Sequence, residues 1–264
     1  MKPIEEITSK DLEEIKLVVF DVDGVLVPRG TKIKQEGYIT TLETKVIADK
    51  QINQLRKLKE QGFNLNISSG RGLYMLQDMF GQVLEYTSLT YENGSATWID
   101  GQIIQHVNSF NYMKGLRKKL QCDEIVKNKN FKGFEPKELI ITIHCEDEIL
   151  KIPDLVDEHN KSIKSTGQEL YCLWNGEAYD IGVKEIQTKA IGLTNLIKYL
   201  GLEKKNSLAI GDNLNDVDLL GQAGISVTAD KEKVKGDFYV PLFGEKLPAD
   251  VLMDSILRNK ISKI

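Results

Sequence analysis

Three cysteines in 264 residues are too few and too widely spaced for a disulfide framework or a cysteine metal site. Cys122, Cys145 and Cys172 therefore read as reduced packing residues. No apolar stretch approaches the roughly 20 residues that span a bilayer. Met1-Lys-Pro-Ile-Glu-Glu is too polar to open a secretory signal. An excess of one charge is also missing, since 35 Lys and Arg stand against 39 Asp and Glu, a formal net of −4. That balance leaves no basic field for nucleic acid or an anionic membrane. There is no internal repeat and no low-complexity tract. What remains is an ordinary globular composition, 41% hydrophobic and 28% charged, long enough for one large domain or two smaller ones. These absences predict a cytoplasmic protein with neither nucleic-acid nor membrane partners.

What the chain does hold is organised around residues 16–27, Lys-Leu-Val-Val-Phe-Asp-Val-Asp-Gly-Val-Leu-Val. Leu17 to Phe20 is an uninterrupted run of apolar, mostly β-branched or aromatic residues, the pattern of a strand buried on both faces in a parallel sheet. Asp21 and Asp23 follow at its end, then Gly24. Open α/β sheets bind ligands just beyond the carboxyl ends of their strands. Two acids there bind a cation, and an acid beside a bound cation can act as a nucleophile. A polar turn would use the same residues. A D-x-D-x-[DN]-G-x5-E calcium loop is excluded, because Val25, Leu26 and Lys32 stand at its third ligand, its glycine and its closing glutamate.

Around this stretch strands and helices alternate. Ile4 to Ile15 is a polar, partly helical lead-in, and residues 28–48 read as a long loop or small flap. Asp49 opens a helix through Gln61, with Ile52, Leu55 and Leu58 on one face and Gly62 as its stop. Phe63, Leu65 and Ile67 predict a second strand, in which Asn64 and Asn66 are odd for a buried position. It runs into Ser68-Ser-Gly-Arg-Gly, ahead of a helix at Leu73 to Phe80. A hydroxyl and glycines between a strand end and a helix make a phosphate site or, more plainly, an N-cap by Ser69. A third strand begins near Leu84 and leads to Tyr91. Beyond it lie strand candidates at Ala96–Ile99, Ile103–Val107, Leu139–His144, Leu170–Trp174 and Ala178–Val183, with helices near 111–121 and 153–164. Asp100-Gly101 and Asn175-Gly176 mark hairpins. That texture predicts an α+β module at 89–183 inserted into an α/β domain formed by 1–88 and 184–264.

The alternation of strand and helix resumes at Lys184. A helix from Thr188 to Leu200 carries Lys189 in its first turn, where the helix dipole disfavours a cation; solvation or a bound anion would account for it. Ser207 to Ile210 is a further apolar strand ending in Gly211-Asp-Asn-Leu-Asn-Asp. A helix cap explains Asn215 or Asp216 alone, but not Asp212, Asn215 and Asp216 together. Ile225–Val227 reads as a last central strand, Phe238–Val240 as an edge strand and Pro248–Ile261 as a closing helix.

Four strand or helix ends thus carry what phosphoryl transfer from an ester requires. Asp21 can be the nucleophile, and with Asp212 it can hold Mg²⁺. Ser69 and Lys189 can bind the remaining phosphoryl oxygens, and Asp23 can protonate the leaving oxygen and then activate water. The set Phe20-Asp-Val-Asp-Gly-Val, Ile67-Ser-Ser-Gly-Arg, Lys189 and Gly211-Asp-Asn-Leu-Asn-Asp resembles the four motifs of haloacid dehalogenase superfamily phosphatases. The 89–183 insert, entered through Glu92-Asn-Gly, resembles the type IIB cap of the Cof-like and sucrose-phosphatase-like branch.

The resemblance implies a Rossmann-like parallel-sheet core with helices on both faces and an α+β cap domain. It implies Asp21 as nucleophile and metal ligand, and Asp23 as general acid/base whose backbone carbonyl also binds metal. Ser69, Gly70 and Lys189 would hold the phosphate, with Asn215 near it. Asp212 would complete the Mg²⁺ shell, and Asp216 would support it. Val25 stands where many members have Thr, and the 28–48 segment is longer than usual.

The substrate implied is a small phosphorylated metabolite, foremost a sugar phosphate. The segment Phe134 to His144 resembles a cap strand of trehalose-phosphate phosphatases, which implies that Glu135 and Lys137 touch sugar hydroxyls. Read without that likeness, it is a solvated turn before a strand. Rival readings are a phosphomutase of the same cap type, a receiver-like signalling module and a non-catalytic binding protein. A receiver has no use for a 90-residue insert, and every catalytic position a binding protein could have lost is filled.

Overall fold

The computed structural model of the chain describes residues 1–241 and 246–261. Two compact units result, one of Met1–Gly30, Lys45–His106 and Thr188–Ile264, the other of Thr31–Thr44 and Val107–Gln187. No helix among the described residues is long and apolar enough to cross a membrane.

The first unit is built on a nine-stranded sheet. Its middle is formed by Leu17–Phe20 (β1), Asn64–Ser68 (β2), Thr87–Tyr91 (β3) and Ser207–Gly211 (β4), parallel and in the order β4-β1-β2-β3. Ile225–Thr228, Phe238–Tyr239 and Lys2–Pro3 continue it in parallel beyond β4. Phe238–Tyr239 is therefore paired on both sides, and the edge expected there falls to Lys2–Pro3.

Every side chain of β1 is buried, as a strand covered on both faces of a parallel sheet requires. Because side chains alternate along a strand, Leu17 and Val19 pack with Leu193, Leu196, Ala209 and Leu219, while Val18 and Phe20 point to the opposite face. From β1 the chain steps to β2 and β3 on one side, and β4 later enters on the other. The strand order therefore reverses between the ends of β1 and β4, the place where open α/β sheets leave a crevice for ligands.

Asn66, odd in the sequence, is buried without an unmet amide. Its Nδ2 donates to Ser88 Oγ at 2.9 Å and to Thr90 Oγ1 at 3.0 Å, so hydroxyls of β3 replace water.

Two expectations about the insert are corrected, and one strand is added. Ala96–Ile99 and Gln102–Gln105 do form the expected hairpin, but Ala96–Ile99 pairs antiparallel with β3, so the hairpin extends the sheet of the first unit. Residues 89–106 accordingly lie in the first unit, and the longer stretch of the second runs over Val107–Gln187. The single helix expected at 111–121 is broken into Phe110–Met113 and Leu116–Leu120 by Gly115, which is left-handed at φ 81°. A strand at Phe131–Phe134 was not foreseen, since its Lys132 and Gly133 hide the alternation.

The second unit holds a four-stranded antiparallel sheet in the order Leu170–Trp174, Ala178–Val183, Ile141–Cys145, Phe131–Phe134. Helix Lys151–Ile163 covers it with Ile152, Leu155, Val156 and Ile163. Within the 28–48 segment, Lys32–Glu36 and Ile39–Glu43 form a hairpin, and Thr31–Thr44 belongs to this unit. Its Gln35 Oε1 accepts the N–H of Phe134 at 3.1 Å.

Candidate active site

Asp21 follows β1 and Asp212 follows β4, so the reversal point of the sheet carries one carboxylate from each side. Asp216 comes from the short helical turn Leu214–Asp216 just beyond. One carboxylate oxygen of each lies within 4.8 Å of the other two, and all three residues are buried.

Lys189 joins them. It opens the helix Lys189–Tyr199, whose N-cap Thr188 accepts the Ile191 N–H. Its Nζ lies 2.6 Å from Asp21 Oδ1 and 2.5 Å from Asp216 Oδ1, with the side chain 1% exposed. The anions that explain a lysine in a first helical turn are therefore the protein's own. Asp216 is fully committed, since its Oδ2 also accepts the backbone N–H groups of Asp212 and Asn213 at 3.0 and 3.1 Å. It orients the lysine and the Asp212 loop together.

The position of Lys189 is set from the other side by a turn in left-handed backbone, with Glu92, Asn93 and Gly94 at φ 50°, 53° and 79°. Two consecutive non-glycine residues in that region carry strain. The surroundings hold it: Glu92 N–H donates to Arg71 O at 3.0 Å and Asn93 N–H to Ser69 O at 3.1 Å. A Cβ on Gly94 would lie 2.1 Å from the Thr188 carbonyl oxygen, so only glycine lets this turn seat on the helix that begins at Lys189. The turn thus ties the Ser69 loop to the lysine. In sequence Glu92-Asn-Gly marked only an entrance to the insert.

Ser69 is not the cap of its helix. Gly72 occupies that place, while Ser69 Oγ accepts the Arg71 N–H at 3.2 Å. Gly70 packs beside the Asn93 side chain. Arg71, to which sequence reasoning assigned no role, grips Asp23 with both ends of its fork: Nε to Oδ2 at 2.8 Å and Nη2 to Oδ1 at 2.6 Å. Such a bidentate charge-assisted pair fixes orientation as well as charge. Arg29, also missed, has its Nη2 on Asp212 Oδ2. Loop arginines read as solvated, and nothing in their neighbours' spacing announces a partner. Asn215 is exposed and is not brought into the cluster.

Burial first, and then the charge of Asp216, push the Asp21 carboxyl from 3.8 up to about 8, with Lys189 pulling against them. Burial also raises Asp212 against the opposing pull of Arg29. Burial opposes the charge of Lys189, but Asp21 and Asp216 outweigh it and hold the lysine above its usual range. The folded protein therefore binds the Asp21 proton more tightly than the unfolded chain does. The contribution of Asp21 to metal-free stability is therefore full below about 3.8 and is lost as pH rises toward 8. Thermal unfolding in EDTA across that range should show the wild-type midpoint falling relative to that of Asp21→Asn. A wild-type midpoint that climbs relative to the variant's over the same range would contradict it.

A hard divalent cation takes oxygen ligands. Asp212 Oδ1 is buried and has no hydrogen-bond partner, a costly arrangement that a cation would relieve. With Asp21 and Asp212 on either side of the reversal point, the residues present fit such an ion.

In the second unit, Glu135 and Lys137 are 4% and 7% exposed, which corrects the expectation of a solvated turn. Lys137 Nζ donates to Thr142 Oγ1 at 2.6 Å and lies 3.3 Å from Glu135 Oε1, and His144 Nε2 is 2.9 Å from Glu135 Oε2.

A family model described as haloacid dehalogenase-like hydrolase matches residues 18–115 and 111–233 of the chain. The chain is 25% identical over 231 residues to the 5-amino-6-(5-phospho-D-ribitylamino)uracil phosphatase of Bacillus subtilis, covering 81% of this chain and 83% of that one. It is 27% identical over 228 residues to a phosphoglycolate phosphatase of Sulfolobus acidocaldarius, covering 85% and 89%. Among solved structures, the C-terminal domain of a trehalose-6-phosphate phosphatase from C. albicans shares the fold, with a TM-score of 0.68 at 15% identity over 98% of each chain.

Proposed function

The chain belongs to the haloacid dehalogenase-like hydrolases, and on that premise we propose that it is a Mg²⁺-dependent phosphatase acting on a small phosphorylated metabolite, foremost a sugar phosphate. Its chemistry is that of a phosphoric monoester hydrolase, as it is for the relatives named above. The observation that carries the proposal is Lys189 Nζ held between Asp21 and Asp216 beside the unpartnered Oδ1 of Asp212.

In this mechanism the Asp21 carboxylate attacks phosphorus, forming an Asp–O–P bond as the ester P–O bond breaks. Lys189, the Ser69 hydroxyl and the Gly70 N–H hold the phosphoryl oxygens where charge grows. Asp23 gives its proton to the departing alkoxide, for which one of its two bonds to Arg71 must yield. It then takes a proton from water, which attacks phosphorus and releases Asp21. Mg²⁺, held by Asp21, Asp212 and the Asp23 carbonyl, would neutralise phosphate charge and keep two carboxylates compatible with an anionic ester. Asp216 supports that shell through Lys189 and the Asp212 loop, and no role is assigned to Asn215. Specificity is assigned to the second unit, in which Glu135 and Lys137 are the charged groups proposed to meet the hydroxyls of a sugar.

Release of inorganic phosphate from p-nitrophenyl phosphate and from a panel of sugar phosphates tests this. Dialysis against EDTA should abolish the activity, and Mg²⁺ should restore it. Full turnover after verified metal removal would overturn the metal assignment. Phosphate returned to a second position of the substrate would make the protein a mutase.

A further inference from the structure

Three cations face the four carboxylates of the site, and they are not held alike. Lys189 is fixed by two carboxylates and is 1% exposed. Arg71 is fixed by both oxygens of Asp23 and its side chain is 8% exposed. Arg29 is different. Its side chain is 44% exposed, and among the described residues its guanidinium makes a single hydrogen bond, Nη2 to Asp212 Oδ2. A guanidinium has five N–H donors, so most of the fork is unused beside the reacting centre.

We propose that Arg29 is a mobile counter-ion: it holds Asp212 while no divalent cation is bound, and passes to the phosphoryl oxygens of the substrate once the cation takes Asp212. This rests on the Mg²⁺-phosphatase proposal above and adds a phosphate ligand to it.

Geometry and charge support the exchange. Asp212 offers Oδ2 to Arg29 and keeps Oδ1 buried without a partner, so one carboxylate is satisfied on one side only. A divalent cation between Asp212 and Asp21 would compete with the guanidinium for the same acid. With Asp23 carrying the proton it gives to the leaving group, Asp21, Asp212 and Asp216 balance Lys189, Arg71 and Arg29, and a bound divalent cation leaves two positive charges. That surplus suits a phosphate monoester dianion, and Arg29 is the least anchored cation present.

The backbone also permits the movement. Lys45 Nζ donates to the carbonyl oxygens of Arg29 at 2.8 Å and Pro28 at 3.4 Å, which pins the base of the side chain and leaves its head free. Gly24, at φ +83°, lets the loop pass close beneath. A Cβ there would lie 2.3 Å from Asp212 Oδ2 and 3.1 Å from Arg29 Nε, pushing apart the pair that is to exchange.

The test is calorimetric titration of wild-type protein, R29Q and R29K with Mg²⁺ alone, then with inorganic phosphate at saturating Mg²⁺. Circular dichroism and unfolding midpoints with and without EDTA accompany it. Loss of the internal competitor should tighten Mg²⁺ binding by R29Q about 3- to 10-fold, since apparent affinity follows the fraction of the site that is free. Loss of a charge-assisted ligand should weaken phosphate binding about 10- to 100-fold. R29K should recover part of the phosphate affinity, and Mg²⁺ should raise the midpoint of R29Q more than that of wild type. Wild-type protein that binds both ligands, with R29Q binding phosphate equally well, overturns this inference alone. So does weaker Mg²⁺ binding by R29Q. A wild-type protein that binds no Mg²⁺ overturns the proposed site and the inference with it.

Discussion

Asp21→Asn protein is expected to keep its fold and lose all but a trace of turnover. The substitution is nearly isosteric, so the packing of β1 and its neighbours is undisturbed. It removes a carboxylate from a buried cluster in which Asp216 and Asp212 both raise its proton affinity. Lys189 gives up one partner but retains Asp216 at 2.5 Å. The unfolding midpoint should therefore be unchanged or slightly raised. An amide cannot form the acyl phosphate, and loss of a covalent nucleophile costs on the order of 10³-fold or more in kcat. Steady-state hydrolysis of p-nitrophenyl phosphate and thermal unfolding of the same preparation measure both halves. A folded variant retaining a substantial fraction of wild-type activity would exclude a covalent route through this residue.

The second large effect is expected at Asp23, and it should depend on the leaving group. Asparagine keeps the backbone carbonyl for the metal but has no proton to give. A sugar alkoxide is a very poor leaving group without that proton, whereas p-nitrophenolate departs unaided. General acid catalysis contributes about 10²- to 10⁴-fold. Asp23→Asn should lose about that factor in phosphoenzyme formation from a sugar phosphate and far less from the aryl ester. Hydrolysis of the phosphoenzyme also needs the lost base, so the aryl ester should show a burst followed by slow turnover. Asp23 is held by Arg71, which gives a structural role something to do as well. Single-turnover rates separate the two: equal losses in the formation step on both substrates would make Asp23 structural.

The positions of the acids were legible because a central parallel strand must be apolar throughout and its chemistry must follow its end. β1 and β4 met that condition, and Asp21 and Asp212 stood just beyond them. The partners of Lys189 were not legible, since Asp21 and Asp216 lie 168 and 27 residues away and only the topology joins them. For the same reason Arg71 and Arg29 gave no sign of the acids they bind. Asp100-Gly101 announced a hairpin correctly, but a turn dipeptide carries no information on which sheet the hairpin joins. Local pattern likewise left Glu135 and Lys137 in solvent. Their burial comes from the adjacent strand, where Thr142 and His144 present a hydroxyl and an imidazole to them.

The central claim, a phosphoryl group carried on Asp21, is tested most directly by trapping it. Asp23→Asn protein with Mg²⁺ and p-nitrophenyl phosphate is acid-quenched during the burst, reduced with borohydride and mapped by peptide mass spectrometry. The account predicts homoserine at position 21, in step with the burst of nitrophenolate. A full burst with Asp21 unreduced, or with the phosphoryl group on another residue, would contradict it.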